Sequence, residues 1–298
     1  MEVAQVARFN LHKGAVYALS HGADSSTFLS AGSEGIVLAT RLNDPAQATV
    51  LARVSSQVFA LLLIPEKNLL LIGTMAGGFH VFDLLQKREI HHITYHAQSV
   101  FDIKLLNDLV LVASKDGSLS VWSADNFSLQ CVLNISSMSL RMIDINKQEN
   151  EIAVACSDNR IYIIDALRWE VKEVLAGPAN SVFCVSFIPQ SRMLLAGSRD
   201  AQLYGYDLQQ HLLIRQIKAH LYTINHLQPV ANGQFMASAS RDKTIRIWDS
   251  ASLELVKSLD QLKNNGHTRS VNKLLWMPEE QVFLSAGDDS TTIAWSIH

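Results

Sequence analysis

The chain has 298 residues, 48% of them apolar and 18% charged, which is enough to bury a sizeable core and too apolar for a disordered segment. A formal charge of −3 supplies no global positive field to draw in nucleic acid or an anionic membrane. The opening MEVAQVARFNLHKG lacks a basic stretch followed by an apolar one, and no later run approaches the ~18 apolar residues of a membrane span, so a soluble, unsecreted, cytoplasmic protein is expected.

Read in chain order, the first element is the alternating run Val3 to Phe9, a strand with no obvious partner nearby. Seven similar units follow. Their aromatic or apolar marker falls at Thr40, Phe82, Trp122, Ile164, Tyr206, Trp248 and Trp295, in steps of 42, 40, 42, 42, 42 and 47 residues. A turn acid keeps pace with it at Glu34, Asp116, Asp158, Asp200, Asp242 and Asp289, and only the second unit departs, with Ala76. Each unit reads as four short strands, a to d: an alternating strand a (VFCVSFI, VNKLLWM), a small-residue strand b (FMASAS), a tight turn around the acid, strand c (IRIWD) and an alternating strand d (LLIRQIK). Prolines 65, 189 and 278 close strand a. Four antiparallel strands in about 40 to 45 residues are the signature of a propeller blade, which buries its faces only against neighbouring blades. The expected fold is therefore an all-β, seven-bladed β-propeller that uses the whole of residues 1–298 as one domain.

The last unit stops after strand c, at Ile297-His298, and so lacks a strand d. Val3 to Phe9 is expected to supply it, closing the ring and covering an otherwise unpaired edge. Two irregularities stand out. The third unit is two residues shorter between strands a and b, which puts a tight turn at Asn107-Asp108, and the step of 47 arises from five extra residues in LDQLKNNGH, a real loop. Cys131, Cys156 and Cys184 sit among strand-like residues with no metal-ligand spacing and read as core residues in a reducing compartment.

The pairs Ala219-His220 and Gly266-His267, the turn aspartates 242 and 289, and Trp248-Asp249 resemble the WD-repeat propeller family. The resemblance runs the length of the chain, strongest in the sixth unit, good in the third and seventh, and degenerate in the second and fourth. It implies a buried relay from tryptophan through a strand-b serine and a histidine to the turn aspartate: Trp248, Ser238, His220 and Asp242, and again Trp295, Ser285, His267 and Asp289. The first unit keeps His12, Ser30 and Glu34, and the third keeps His96, Asp116 and Trp122 but has Val112 where serine would stand. A Ser, His and Asp together suggest nucleophilic catalysis, but a set that repeats in several buried places is better read as structural pairing. His91, His92 and His96 give no metal site, because adjacent strand residues face opposite ways and His96 serves the relay. No metal or cofactor is expected.

The resemblance also implies a binding rim, here called the top, where the d-to-a connections and the b-to-c turns meet. Its strand-a positions are Tyr17, Phe59, Phe101, Arg141, Phe183, Asn225 and Asn272, and the turn positions include Met75, Lys115, Arg199 and Arg241. Aromatic residues with arginine match the composition of interaction hot spots, so a non-enzymatic protein-interaction scaffold is expected. Its partner would be a protein segment carrying an apolar anchor and nearby carboxylates, with the loop at 260 to 266 walling one side. The rival for the aromatics is packing between blades. A small-ligand or enzymatic propeller using the central channel is the alternative function, disfavoured because aromatic and amide residues, rather than acids and histidines, stand at the channel-lining positions. Nucleic-acid binding is disfavoured by Asp288, Glu34 and the overall charge.

Overall fold

The computed structural model describes residues 2–297. Twenty-eight strands form seven four-stranded antiparallel sheets, and in the first six the strands follow one another in chain order from a to d. The seventh has the order Val3–Phe9, Thr292–Ile297, Val282–Gly287, Val271–Met277, so the N-terminal strand is its strand d. Val3 pairs with Ile297 and Phe9 with Thr292, which closes the ring as the sequence anticipates.

The strands a are Val16–His21, Val58–Ile64, Val100–Leu106, Leu140–Asn146, Val182–Phe187, Ile224–Val230 and Val271–Met277. Each packs beside the next around the central channel, and the last returns to the first. There is no single central core. Apolar side chains gather instead between neighbouring blades: Leu71, Val81, Ile103 and Trp122 between blades 2 and 3, and Ile247, Leu274, Phe283 and Trp295 between blades 6 and 7. Strand b is built from small residues because the blades converge toward the axis. A Cβ on Gly197 would stand 2.6 Å from Ile224 Cγ2 in the next blade.

The short hairpin of blade 3 turns at Asn107-Asp108, with Leu106 paired to Leu109 and Asn107 at φ 54°. The enlarged loop is more ordered than a loop need be. Gln261–Asn264 form a helical turn whose first N–H groups are capped by Asp260, accepting from Lys263 N at 2.8 Å. Arg8, on the outermost strand of blade 7, donates to the carbonyls of Asn265 and Gly266. The segment is thus tied to the outer edge, and the expectation that it walls one side of the central rim needs correcting to that extent. Cys156 and Cys184 are buried, whereas Cys131 is only half-buried.

Candidate functional site

In every blade, strand a carries a β-bulge at the same place, skipping Tyr17, Phe59, Phe101, Arg141, Phe183, Asn225 and Asn272 in the pairing with strand b. A bulged residue is re-aimed out of the pleat. The residue just before it (Val16, Val58, Val100, Leu140, Val182, Ile224, Val271) is fully buried between blades. The seven bulged side chains are half-buried and together line a depression of about 200 Å³ at the top mouth of the channel. The aromatics therefore stand outside the buried clusters between blades.

Around this mouth the side chains touch in sequence. Tyr17 meets Phe59 at 5.3 Å and Phe59 meets Phe101 at 5.5 Å between ring centroids. The Arg141 guanidinium lies 4.6 Å from the Phe101 ring and 4.7 Å from the Phe183 ring, and its Nε donates to Ser157 Oγ at 2.8 Å. Cation–π contact on two faces and one hydrogen bond hold this charge in place, while burial lowers its pKa. The other half of the mouth is amide. Asn225 Nδ2 donates to Val271 O (2.8 Å) and Asn272 Nδ2 to Val16 O (3.1 Å), each reaching the next blade. Met75, Lys115, Arg199 and Arg241 stand exposed on the b-to-c turns.

Below the mouth the channel widens into a chamber of about 600 Å³. The aromatic and amide residues expected to line the channel line its mouth, and of them only Phe59 also reaches the chamber. Because of the bulge, the following residue also turns inward, which brings Asp102, His226 and Lys273 into the chamber with Lys104 and Asp144. The acids are committed to the fold. Asp102 Oδ2 accepts from Ile143 N (2.9 Å) and Asp144 Oδ2 from Phe187 N (2.8 Å), satisfying the inner edge of the next blade. His226 Nδ1 accepts from Leu274 N at 3.4 Å, and its Nε2 has no partner. Burial raises the Asp144 carboxyl, lowers the Lys273 ammonium and pushes His226 well below the usual histidine range.

The relays form as the resemblance implies. In blade 6 the Trp248 indole donates to Ser238 Oγ (2.9 Å), His220 Nε2 lies 2.8 Å from the same oxygen, and His220 Nδ1 lies 2.9 Å from Asp242 Oδ2. An indole only donates and a carboxylate only accepts, so the serine proton goes to Nε2 and the histidine carries its own on Nδ1. Blade 7 repeats this with Trp295, Ser285, His267 and Asp289. Burial lowers His220, and although burial pushes the Asp242 carboxyl up, hydrogen bonds from His220, Thr244 and Leu221 N hold it well below its ordinary value. Every polar group is paired and the imidazoles are buried, so no hydroxyl is presented to a substrate.

Three relays differ from what the sequence suggests. In blade 3 the serine is present after all, as Ser120 on strand c, bonded to His96 Nε2 and the Trp122 indole at 2.7 Å each. In blades 4 and 5 a tyrosine at the same strand-c position takes the histidine's place: Tyr162 donates to Asp158 (2.7 Å) and Tyr204 to Asp200 (2.8 Å). Blade 2 has no relay, with Val54, Ile72, Ala76 and Phe82 at the four positions. The signal available in the sequence was a hydroxyl two residues before the strand-c marker.

Seven four-stranded blades, three of them bonded through buried Asp-His-Ser-Trp relays, define the class: this chain is a seven-bladed β-propeller with WD-type repeats. The model of the WD domain, G-beta repeat matches residues 169–207, 212–249 and 256–296. Among curated proteins the chain is similar to WD repeat-containing protein 55 of Bos taurus (24% identity over 249 residues, 78% of this chain and 63% of that protein). It is also similar to Protein tipD of Dictyostelium discoideum (22%, 97% and 48%) and Transducin beta-like protein 3 of Rattus norvegicus (24%, 95% and 32%). The chain thus spans less than two thirds of the length of these relatives. A solved WD40 β-propeller domain of Doa1 superposes with a TM-score of 0.86 at 18% identity, covering 99% of this chain and 97% of that one. Relatives of this kind suggest a protein-interaction scaffold, and WD40 propellers are in general non-enzymatic.

Proposed function

We propose that the chain is a non-enzymatic, cytoplasmic docking platform that takes a protein segment at its top mouth, an apolar anchor seated on Phe59, Phe101 and Phe183 with adjacent carboxylates turned toward the arginines. The observation that carries this reading is the Phe101–Arg141–Phe183 sandwich, in which a cation is held between two half-buried rings at the rim of a cavity. Clustered aromatics with arginine, half desolvated before binding, match the anchors of interaction hot spots. Lys115, Arg199 and Arg241 on the surrounding turns would steer an acidic segment inward. Affinity capture with the wild-type chain, compared with Phe101→Ala and Arg141→Glu variants of verified fold, tests it: a protein retained by the wild type and lost by both supports the reading, and an unchanged set contradicts it.

A second reading, a small ligand in the chamber below, rests on His226 Nε2, a buried nitrogen without a partner in a space of about 600 Å³. It is the weaker, because the chamber's carboxylates are spent on backbone N–H groups of neighbouring blades. A ligand there would survive Phe101→Ala and be lost on His226→Phe.

A further inference from the structure

We propose that His80, Glu89 and His92 on the outer hairpin of blade 2 form a binding site for a divalent transition-metal ion of the zinc class. Strands c (Phe79–Asp83) and d (Arg88–Ile93) of this blade set His80 directly opposite His92, with ring centroids 4.1 Å apart and planes within 10°. The pairing skips Ile90, and that bulge returns Glu89 to the face that carries both histidines. Glu89 Oε1 lies 2.9 Å from His80 Nδ1, and one donor atom from each of the three residues falls within 4.8 Å of the others. His91, between them in sequence, faces the other way and stacks on Phe127 at 5.4 Å.

Zinc holds imidazole nitrogen at about 2.0–2.1 Å and carboxylate oxygen at about 2.0–2.2 Å, so tetrahedral donors stand roughly 3.3–3.5 Å apart. The three donor atoms, all within 4.8 Å of one another, reach that spacing by side-chain rotation alone. His80 is anchored, its side chain 12% exposed, while Glu89 and His92 are exposed and free to rotate inward. On binding, the neutral His80 imidazole turns to its Nε2–H tautomer, the proton that Nδ1 shares with Glu89 Oε1 moving to Nε2, so that Nδ1 and the carboxylate both face the ion and solvent fills the remaining position. Two nitrogens and one oxygen suit zinc, nickel or copper rather than magnesium or calcium, which prefer all-oxygen shells.

The fold makes no other use of His80. The corresponding strand-c residues Ser120, Tyr162 and Tyr204 each bond into a relay, but blade 2 has only apolar residues at its relay positions, leaving His80 to Glu89 and His92 alone.

Titration of the tag-free chain with Zn2+ by calorimetry, and with Co2+ by visible absorption, tests the site. The expected result is one ion per chain, not displaced by excess Mg2+, with affinity reduced at least about tenfold in His92→Ala and in Glu89→Gln and unchanged in His91→Ala. Zn2+ should also raise the melting temperature of the wild type and leave that of His92→Ala unmoved. No saturable Zn2+ binding below millimolar concentration, or His92→Ala binding like the wild type, overturns the proposal.

Discussion

Ser120 stands directly across the ladder from Val112 and makes, from strand c, the two bonds that Ser238 makes from strand b in blade 6. The relay oxygen has thus moved across one rung without moving in space. Ser120→Ala should leave His96 Nε2 and the Trp122 indole unpaired and destabilise the chain by about 1–3 kcal/mol. In the double variant Ser120→Ala, Val112→Ser the oxygen returns to strand b, and urea unfolding should recover much of that loss. Equal stabilities for the single and double variants would show that the hydroxyl does not carry the relay.

His220→Ala should likewise cost about 1–3 kcal/mol, since it strands both Asp242 and Ser238 in the interior. The rim should be untouched. Chemical denaturation measures the loss, and an unchanged midpoint would contradict the buried, structural role.

Removal of residues 1 to 9 should strip strand d from blade 7, exposing the edge of Thr292–Ile297 and the apolar surface around Phe28 that Phe9 covers. A sharp fall in melting temperature and in solubility is expected. A truncated chain that melts like the full one would mean that the ring closes another way.

Acid should destabilise the ring in two steps. The folded-state pKa values of His12, His220 and His226 are lowered from 6.5, so the unfolded chain binds more protons and stability is lost as pH falls below about 6.5. Asp242 and Asp289 are lowered from 3.8, so their contribution persists down to about that pH and is lost below it. Melting temperatures recorded from pH 8 to 3 should show the first decline near pH 6, reduced in His226→Asn. A flat profile between pH 7 and 5 would contradict the histidine assignment.

The architecture was legible because a 42-residue period is a long-range signal that survives the loss of any one marker, such as Ala76 for the acid or Thr40 for the tryptophan. The mouth residues followed from the family resemblance, carried from blade to blade by that register. What escaped was everything set by a bulge or by cross-strand pairing. Asp102, His226 and Lys273 turn into the channel because one skipped residue precedes them, and alternation alone would send them elsewhere. Ser120 replaces a residue eight positions earlier, and His80 meets His92 twelve positions later; both relations exist only once strands are paired.

The central claim is that the aromatic and cationic mouth is where a protein partner docks. Once a partner segment has been captured, its affinity should be measured by calorimetry for the wild type, for Phe101→Ala and for Leu212→Ala, the last altering an exposed residue on the outer strand of blade 5. Truncating the anchor should weaken binding by about 2 kcal/mol, roughly thirtyfold, at any ionic strength, with the fold intact. Arg141→Glu with Arg241→Glu should slow association most at low salt, where screening is least. Phe101→Ala binding as tightly as the wild type, or Leu212→Ala losing the partner instead, would contradict the account and move the docking surface to the side of the ring.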